Sequence, residues 1–242
     1  MLTRKEFEDL RLEHAKKIFE NKKLQKDALD VLTEADKNYW IHQSNWFGEP
    51  VLQLPQDMFA IQEIVYKTRP DYIVELGVAW GGSTLFYSSL LGMLGGSKVV
   101  GVDIYIPDDL VERLSKKPTM SDIHLIRGPS TEESIVKDVH EAVNYSDRCL
   151  LILDSYHTEE HVLEELGAYK DLVGEGCYII CADTIVEDLP EQLHRKREWG
   201  PGNNPRTALK KFLKDNTDFH VDEEIRNKLL FSCHPDGYIY RS

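Results

Sequence analysis

"IVELGVAWGGSTLF" (residues 73–86) decides the fold. A β-branched run ends at Glu75 and Leu76, glycines follow at Gly77, Gly81 and Gly82, and Ser83 opens an apolar stretch of helical spacing. β-Branched residues favour strands, glycines let a backbone turn sharply and approach a ligand, and a helix start presents unpaired N–H groups. The stretch therefore predicts a strand, a tight turn and a helix. Its spacing is GxxxGG, not the GxGxxG of dinucleotide folds. The next apolar run, "SKVVGVDIYI", ends near Asp103, where a carboxylate can accept both hydroxyls of a ribose. Loop and carboxylate together predict nucleoside binding; a tight turn without a ligand is the bland alternative.

Working outward, "DIHLIRG", "CLLILD" and "CYIICAD" are further strand-like runs, and "TEESIVKDVHEAV" and "EEHVLEELGAYKDLV" are helical, the first with Thr131 as its expected N-cap. Strands alternating with helices predict an α/β fold with a mostly parallel sheet covered on both faces. The tail "DFHVDEEIRNKLLFSCHPDGYIYR" carries two strand-like runs around the turn signal "HPDG", which predicts a C-terminal antiparallel hairpin. At the other end, residues 2 to about 32 have helical spacing among many charges. They read as an N-terminal helical extension, either an arm packing on a second copy or a surface helix. Residues 38–57, rich in aromatics, read as an ordered loop leading into a helix with Pro55 in its first turn. The expected organisation is an arm and loop over 1–50 and one domain over 51–242.

The chain has 242 residues, 41% of them hydrophobic, with 42 acidic against 29 basic side chains and a net charge of −13. That charge argues against nucleic acid or an anionic membrane as the main partner. The N-terminus is charged from Arg4 and does not read as a signal peptide, and no apolar run approaches the roughly 20 residues of a membrane span. The four cysteines form no CxxC pair; Cys177 and Cys181 read as buried free thiols suited to a reducing cytoplasm. A cytoplasmic, soluble protein is expected.

"ELGVAWGGSTLF" followed by "GVDI" resembles the first two motifs of class I S-adenosylmethionine-dependent methyltransferases. "LDSYHTEEHVLEELGAYKDLV", "YIICADT" and "WGPGNNPRTALKKFL" further resemble the cephalosporin hydroxylase family, which includes sugar O-methyltransferases of rhamnosyl type. The resemblance runs from about Trp46 to Arg241 and implies a Rossmann-like class I methyltransferase fold. It implies S-adenosylmethionine held by Glu75, Gly77, Gly81, Gly82, Ser83 and Asp103, with Ser130 near the adenine. The implied activity is methylation of a hydroxyl on a sugar or glycosylated metabolite. A nicotinamide or nucleotide-sugar binding protein using the same loop, and an inactive accessory subunit, are the rival readings.

In such a sheet the strands ending at Asp154 and Asp183 are neighbours, roughly 5 Å apart. Two carboxylates converging there repel unless a cation sits between them, and oxygen ligands favour Mg²⁺. A hydroxyl bound to that cation loses its proton more easily, and His157, in the loop after Asp154, is placed to take it. In related metal-dependent O-methyltransferases a Lys or His three residues after the metal aspartate plays this part. Asp154 and His157 are thus the catalytic candidates, and Asp154 and Asp183 the metal candidates. In the resembled pattern a Glu precedes the second aspartate; here Ala182 stands there, which implies either weaker Mg²⁺ binding or loss of metal dependence. Thr158 is the expected cap of the following helix, and His161 is expected to bond inside the protein. Residues 183–213 read as an acceptor-binding element, with "HRKR" (194–197) and Trp199 suited to a sugar ring or phosphate, or merely solvated.

Overall fold

The computed structural model describes residues 2–117, 121–192 and 195–242. Two charged helices come first, α1 (Arg4–Glu20) and α2 (Lys22–Asp36), with Thr3 and Glu6 forming a reciprocal cap on α1. Asn21 ends one helix and starts the other, its side chain accepting from the Leu24 N–H. α1 lies along α9 (Glu223–Lys228), where the Arg226 guanidinium stacks 4.5 Å from the Phe19 ring centroid. The segment expected to be a plain loop contains a short antiparallel ladder, β1 (Ser44–Trp46) with β2 (Glu49–Val51), turning through Phe47 and Gly48 at positive φ. α3 (Pro55–Thr68) follows, with Pro55 in its first turn as expected.

The opening stretch becomes β3 (Tyr72–Leu76) and α4 (Gly82–Leu94). Then come β4 (Lys98–Asp103), α5 (Asp108–Ser115), β5 (Asp122–Arg127), α6 (Glu133–Ala142), β6 (Cys149–Leu153) and α7 (Glu159–Tyr169). β7 (Tyr178–Cys181), α8 (Pro205–Asp215), β8 (Phe219–Val221) and β9 (Tyr238–Arg241) complete the domain. The strands form one seven-stranded sheet in the order β5-β4-β3-β6-β7-β9-β8. The first five of these run parallel, and β9 is antiparallel to both β7 and β8. This is the Rossmann-like α/β fold with a C-terminal antiparallel pair that the sequence predicts.

Side chains alternate across the sheet, as a period of two requires. Tyr72, Val74, Leu76, Leu151, Leu153, Ile179 and Cys181 pack under α6, α7 and α8, whereas Ile73, Val99, Leu150, Ile152 and Ile180 pack under α3 and α4. All four cysteines are buried free thiols. Among the described residues no helix is long and apolar enough to cross a membrane.

Three local readings need correction. α6 starts at Glu133 with Glu132 as its N-cap, which makes no side-chain capping bond, so Thr131 is not the N-cap. α5, which the sequence reading passed over, covers Val78 and Leu85 with Leu110 and Leu114. Third, the strands of the C-terminal pair are not joined by the "HPDG" turn alone. Their connection also holds α9, because Asp222 caps a helix directly after β8 by accepting from Glu224 and Ile225 N–H.

One buried carboxylate ties α3 to this connection. Asp57 accepts from the Ser232 hydroxyl at 2.6 Å, the Cys233 N–H at 2.7 Å and the Tyr238 hydroxyl at 2.7 Å. Asp57→Ala leaves these donors buried without an acceptor and is expected to cost about 3 kcal/mol. Urea unfolding of the variant checks this, and a loss below about 1 kcal/mol would contradict the assigned role.

Candidate functional site

The ends of β3, β4 and β6 meet so closely that glycine is required between them. Gly77 has φ 102°, and a Cβ there would lie 2.1 Å from the Asp154 carbonyl oxygen. The Asp154 N–H donates to the Leu76 carbonyl at 2.8 Å, and the Gly77 N–H to that of Val102 at 2.8 Å. Gly82 is pressed in the same way against the Pro50 carbonyl of the β2 ladder, 2.1 Å from an added Cβ. Glu75 is fully buried behind the loop, accepting from Ser83 Oγ at 2.5 Å and from Thr84 Oγ1. Burial pushes its carboxyl up to about 7, although both hydroxyls pull it down. Asp103 clamps the loop: Oδ2 accepts from Val78 N–H at 2.9 Å and Ala79 N–H at 3.0 Å, and Oδ1 from Tyr105 N–H at 3.0 Å.

A cleft of about 390 Å³ opens above these strand ends. Gly77, Ser83, Asp103, Ser130, Asp154, His157 and Asp183 line it, so most of the residues singled out from sequence converge there. Glu75, Gly81 and Gly82 do not line it. They stand behind the wall and shape the loop.

At the far side of the cleft the ends of the adjacent strands β6 and β7 bring Asp154 and Asp183 to one imidazole. His157 Nε2 lies 3.9 Å from Asp154 Oδ1 and 3.7 Å from Asp183 Oδ2. Burial and the Asp183 charge push the Asp154 carboxyl well above its usual range, against a hydrogen bond from Gln53 Nε2 at 3.0 Å. Burial also lowers the His157 pKa, opposed by Asp183 and reinforced by Arg197, so the ring is neutral near pH 7 and free to accept a proton. Asp183 sits at φ 52°, its N–H donating to His234 Nδ1 at 3.1 Å. Among the described residues no group of three or more His, Cys, Asp or Glu side chains converges as a ready metal cage. The two aspartates nonetheless suit a hard cation: their charges repel each other, and Mg²⁺ completes its shell with water.

Gln53, Ser155, Glu165 and His42 carried no assignment from sequence, whereas His161, Arg197 and Trp199 did. His161 bonds inside the protein as expected, but its partners are new: Glu165 Oε1 at 3.1 Å, Ser155 Oγ at 3.1 Å and Ser130 Oγ at 3.2 Å. Both serine hydroxyls donate to Glu165 Oε1 at 2.5 Å. The available signal was Glu165 one helical turn after His161 on the buried face of α7. Gln53 lies in a loop with no pattern to mark it. Trp199 lines the cleft edge-on to His157, with ring centroids 5.2 Å apart, and His42 and Arg197 stand nearby. His194, named with the basic run, lies outside the described residues.

A mostly parallel sheet closed by an antiparallel pair, with a glycine loop after β3, an acidic residue closing β4 and a cleft at the strand ends, is the Rossmann-like class I methyltransferase fold. The chain also matches the family model described as Rhamnosyl O-methyltransferase/CmcI over residues 37–242, and it belongs to this family of S-adenosylmethionine-dependent O-methyltransferases. It is 28% identical over 207 residues to a rhamnosyl O-methyltransferase of Mycobacterium leprae, covering 84% of this chain and 86% of that protein. A rhamnosyl O-methyltransferase of Mycobacterium tuberculosis is 28% identical over 189 residues, 77% of this chain and 73% of that protein. A solved CmcI structure with Mg and S-adenosylmethionine superposes with a TM-score of 0.56 at 22% identity, over 83% of this chain and 77% of that one. That likeness bears on the fold.

The pair of half-buried His161 and buried Glu165 has a pH signature. Burial opposes protonation of His161, but the hydrogen bond and charge of Glu165 outweigh it and raise its pKa above 6.5. A folded-state value above the unfolded one means the pair stabilises the fold fully below pH 6.5 and loses that contribution as pH rises through the folded value. The stability gap between the wild type and His161→Gln in urea unfolding should therefore be widest below pH 6.5 and narrow above it. A gap that widens with pH would contradict the pairing.

Proposed function

We propose that the protein transfers the methyl group of S-adenosylmethionine to a hydroxyl of a sugar-containing small molecule, assisted by Mg²⁺. The observation that carries this reading is His157 within 4 Å of both Asp154 and Asp183, at the end of a cleft that begins at the glycine loop. Gly77, the N-terminus of α4 with Ser83, and Asp103 would hold the cofactor, with Ser130 on the adenine side. Asp103 would meet the ribose with the lone pairs that Val78, Ala79 and Tyr105 leave free. The sugar acceptor is supported by the names of the mycobacterial relatives and by Trp199, whose face suits sugar C–H stacking.

Asp154 and Asp183 would hold Mg²⁺, which when bound acidifies a coordinated hydroxyl. His157 takes the hydroxyl proton at Nε2; the oxygen then attacks the methyl carbon as the carbon–sulfur bond breaks, leaving S-adenosylhomocysteine. Gln53 holds Asp154 in orientation, and Trp199 flanks the imidazole. Lowering of the His157 pKa leaves it unprotonated at neutral pH, which is the form a general base needs.

The test is transfer of radiolabelled methyl groups from S-adenosylmethionine to rhamnosides and related glycosides with Mg²⁺ present. His157→Ala should lower turnover by roughly 10²–10⁴-fold and leave S-adenosylhomocysteine affinity within about twofold. Wild-type turnover in this variant would end the general-base assignment. Asp154→Asn should raise the Mg²⁺ concentration needed for half-maximal turnover, and an unchanged Mg²⁺ dependence would end the metal assignment.

A further inference from the structure

The segment between β7 and α8 carries two guanidinium groups with different surroundings. Arg195 is neutralised: Nη2 pairs with Asp36 Oδ1 at 2.6 Å, and the group stacks 4.4 Å from the Tyr39 centroid. Gln192 Nε2 also donates to Asp36, at 2.7 Å. Arg197, by contrast, makes no ion pair among the described residues. Nη1 donates to the neutral Gln192 Oε1 at 2.9 Å, and the guanidinium stands 5.4 Å from the Trp199 centroid. It lines the cleft beside His42, Trp199 and His157, across the ends of β6 and β7 from the glycine loop. Burial lowers the pKa of the neighbouring His42, helped by Arg195 and opposed by Asp36 and Asp183, so among the described residues Arg197 is the permanent positive charge on this wall.

A half-buried cation without an ion-pair partner, in a chain of net charge −13, is costly to retain unless a ligand supplies the counter-charge. The nearby carboxylates attract this charge without pairing with it: Asp36 is taken by Arg195, Asp183 lies beyond ion-pair reach and faces His157, and together they do not offset burial and the Arg195 charge. The planar fork of arginine matches a carboxylate through two parallel hydrogen bonds. A single positive charge balances one carboxylate better than a doubly charged phosphate.

We infer that the acceptor carries a carboxylate, as a uronic acid does, and that Arg197 selects it. This deepens the methyltransferase reading and rests on it. The Trp199 ring flanks the sugar, Arg197 takes the carboxylate, and the hydroxyl to be methylated lies toward His157.

The experiment is a tryptophan-fluorescence titration of the protein saturated with S-adenosylhomocysteine and Mg²⁺. The probes are the methyl glycosides of glucuronic and galacturonic acid, their neutral hexose counterparts and glucose 6-phosphate. The uronides should bind roughly 10-fold or more tightly than the neutral glycosides, and Arg197→Gln should abolish the difference. Absence of a uronide preference, tighter binding of the phosphosugar, or a preference surviving in Arg197→Gln would each overturn the inference. Loss of S-adenosylhomocysteine affinity in Arg197→Gln would overturn it too, by assigning the arginine to the cofactor's own carboxylate. Failure of the wild type to bind S-adenosylhomocysteine at all would instead count against the methyltransferase reading beneath it.

Discussion

β3 and β6 approach so closely at their ends that one hydrogen atom is all that fits between Gly77 and the Asp154 carbonyl. That contact fixes the geometry of everything above it. It forces the chain at Gly77 into positive φ, from which the loop can reach the N-terminus of α4. It also pins the Asp154 backbone to Leu76, so the first carboxylate of the proposed cation pair and the first turn of the glycine loop are one construction. Glycine adopts this conformation without steric cost, and contacts from the neighbouring strand and loop hold it in place. Here β4 supplies the Gly77 acceptor at Val102, and Asp103 ties down Val78 and Ala79.

Electrostatics then divide the cleft. Near the loop the carboxylates are satisfied by hydroxyls and backbone N–H groups: Glu75 by Ser83 and Thr84, and Asp103 by the loop itself. Near Trp199 they are not. Asp154 has one hydrogen bond from Gln53, and its nearest charged neighbour is another carboxylate. Ala182, fully buried at the end of β7, removes the position from which a third carboxylate would act, so any bound Mg²⁺ would lean on water and on the acceptor oxygen. The proposed base works in the same setting, kept neutral by burial and steered by Trp199 and the two aspartates.

The sheet was legible in the sequence because its strands are buried on both faces and bounded by glycines and carboxylates, a pattern that needs no knowledge of neighbours. The convergence of Asp154, His157 and Asp183 was legible for a related reason, since parallel strands bring their carboxyl ends to one edge. Other features depend on contacts distant in sequence. Gln53 reaches Asp154 from the β2–α3 loop, and Asp36 reaches Arg195 from α2. Asp103 was read as a ribose partner, yet it also clamps the loop, a role that only the backbone path of Val78 and Ala79 reveals. α5 escaped notice because its charges mask a short apolar face of Leu110 and Leu114.

The central claim is that the cleft over Gly77 is the S-adenosylmethionine site. Calorimetric titration of S-adenosylhomocysteine into the wild type and Gly77→Ala tests it most directly, with thermal unfolding to establish that the variant is folded. The wild type should bind, and the variant, whose added Cβ collides with the Asp154 carbonyl, should bind at least roughly 10-fold more weakly while still unfolding cooperatively. No heat of binding to the wild type at millimolar ligand, or equal affinity in a folded Gly77→Ala protein, would contradict the account.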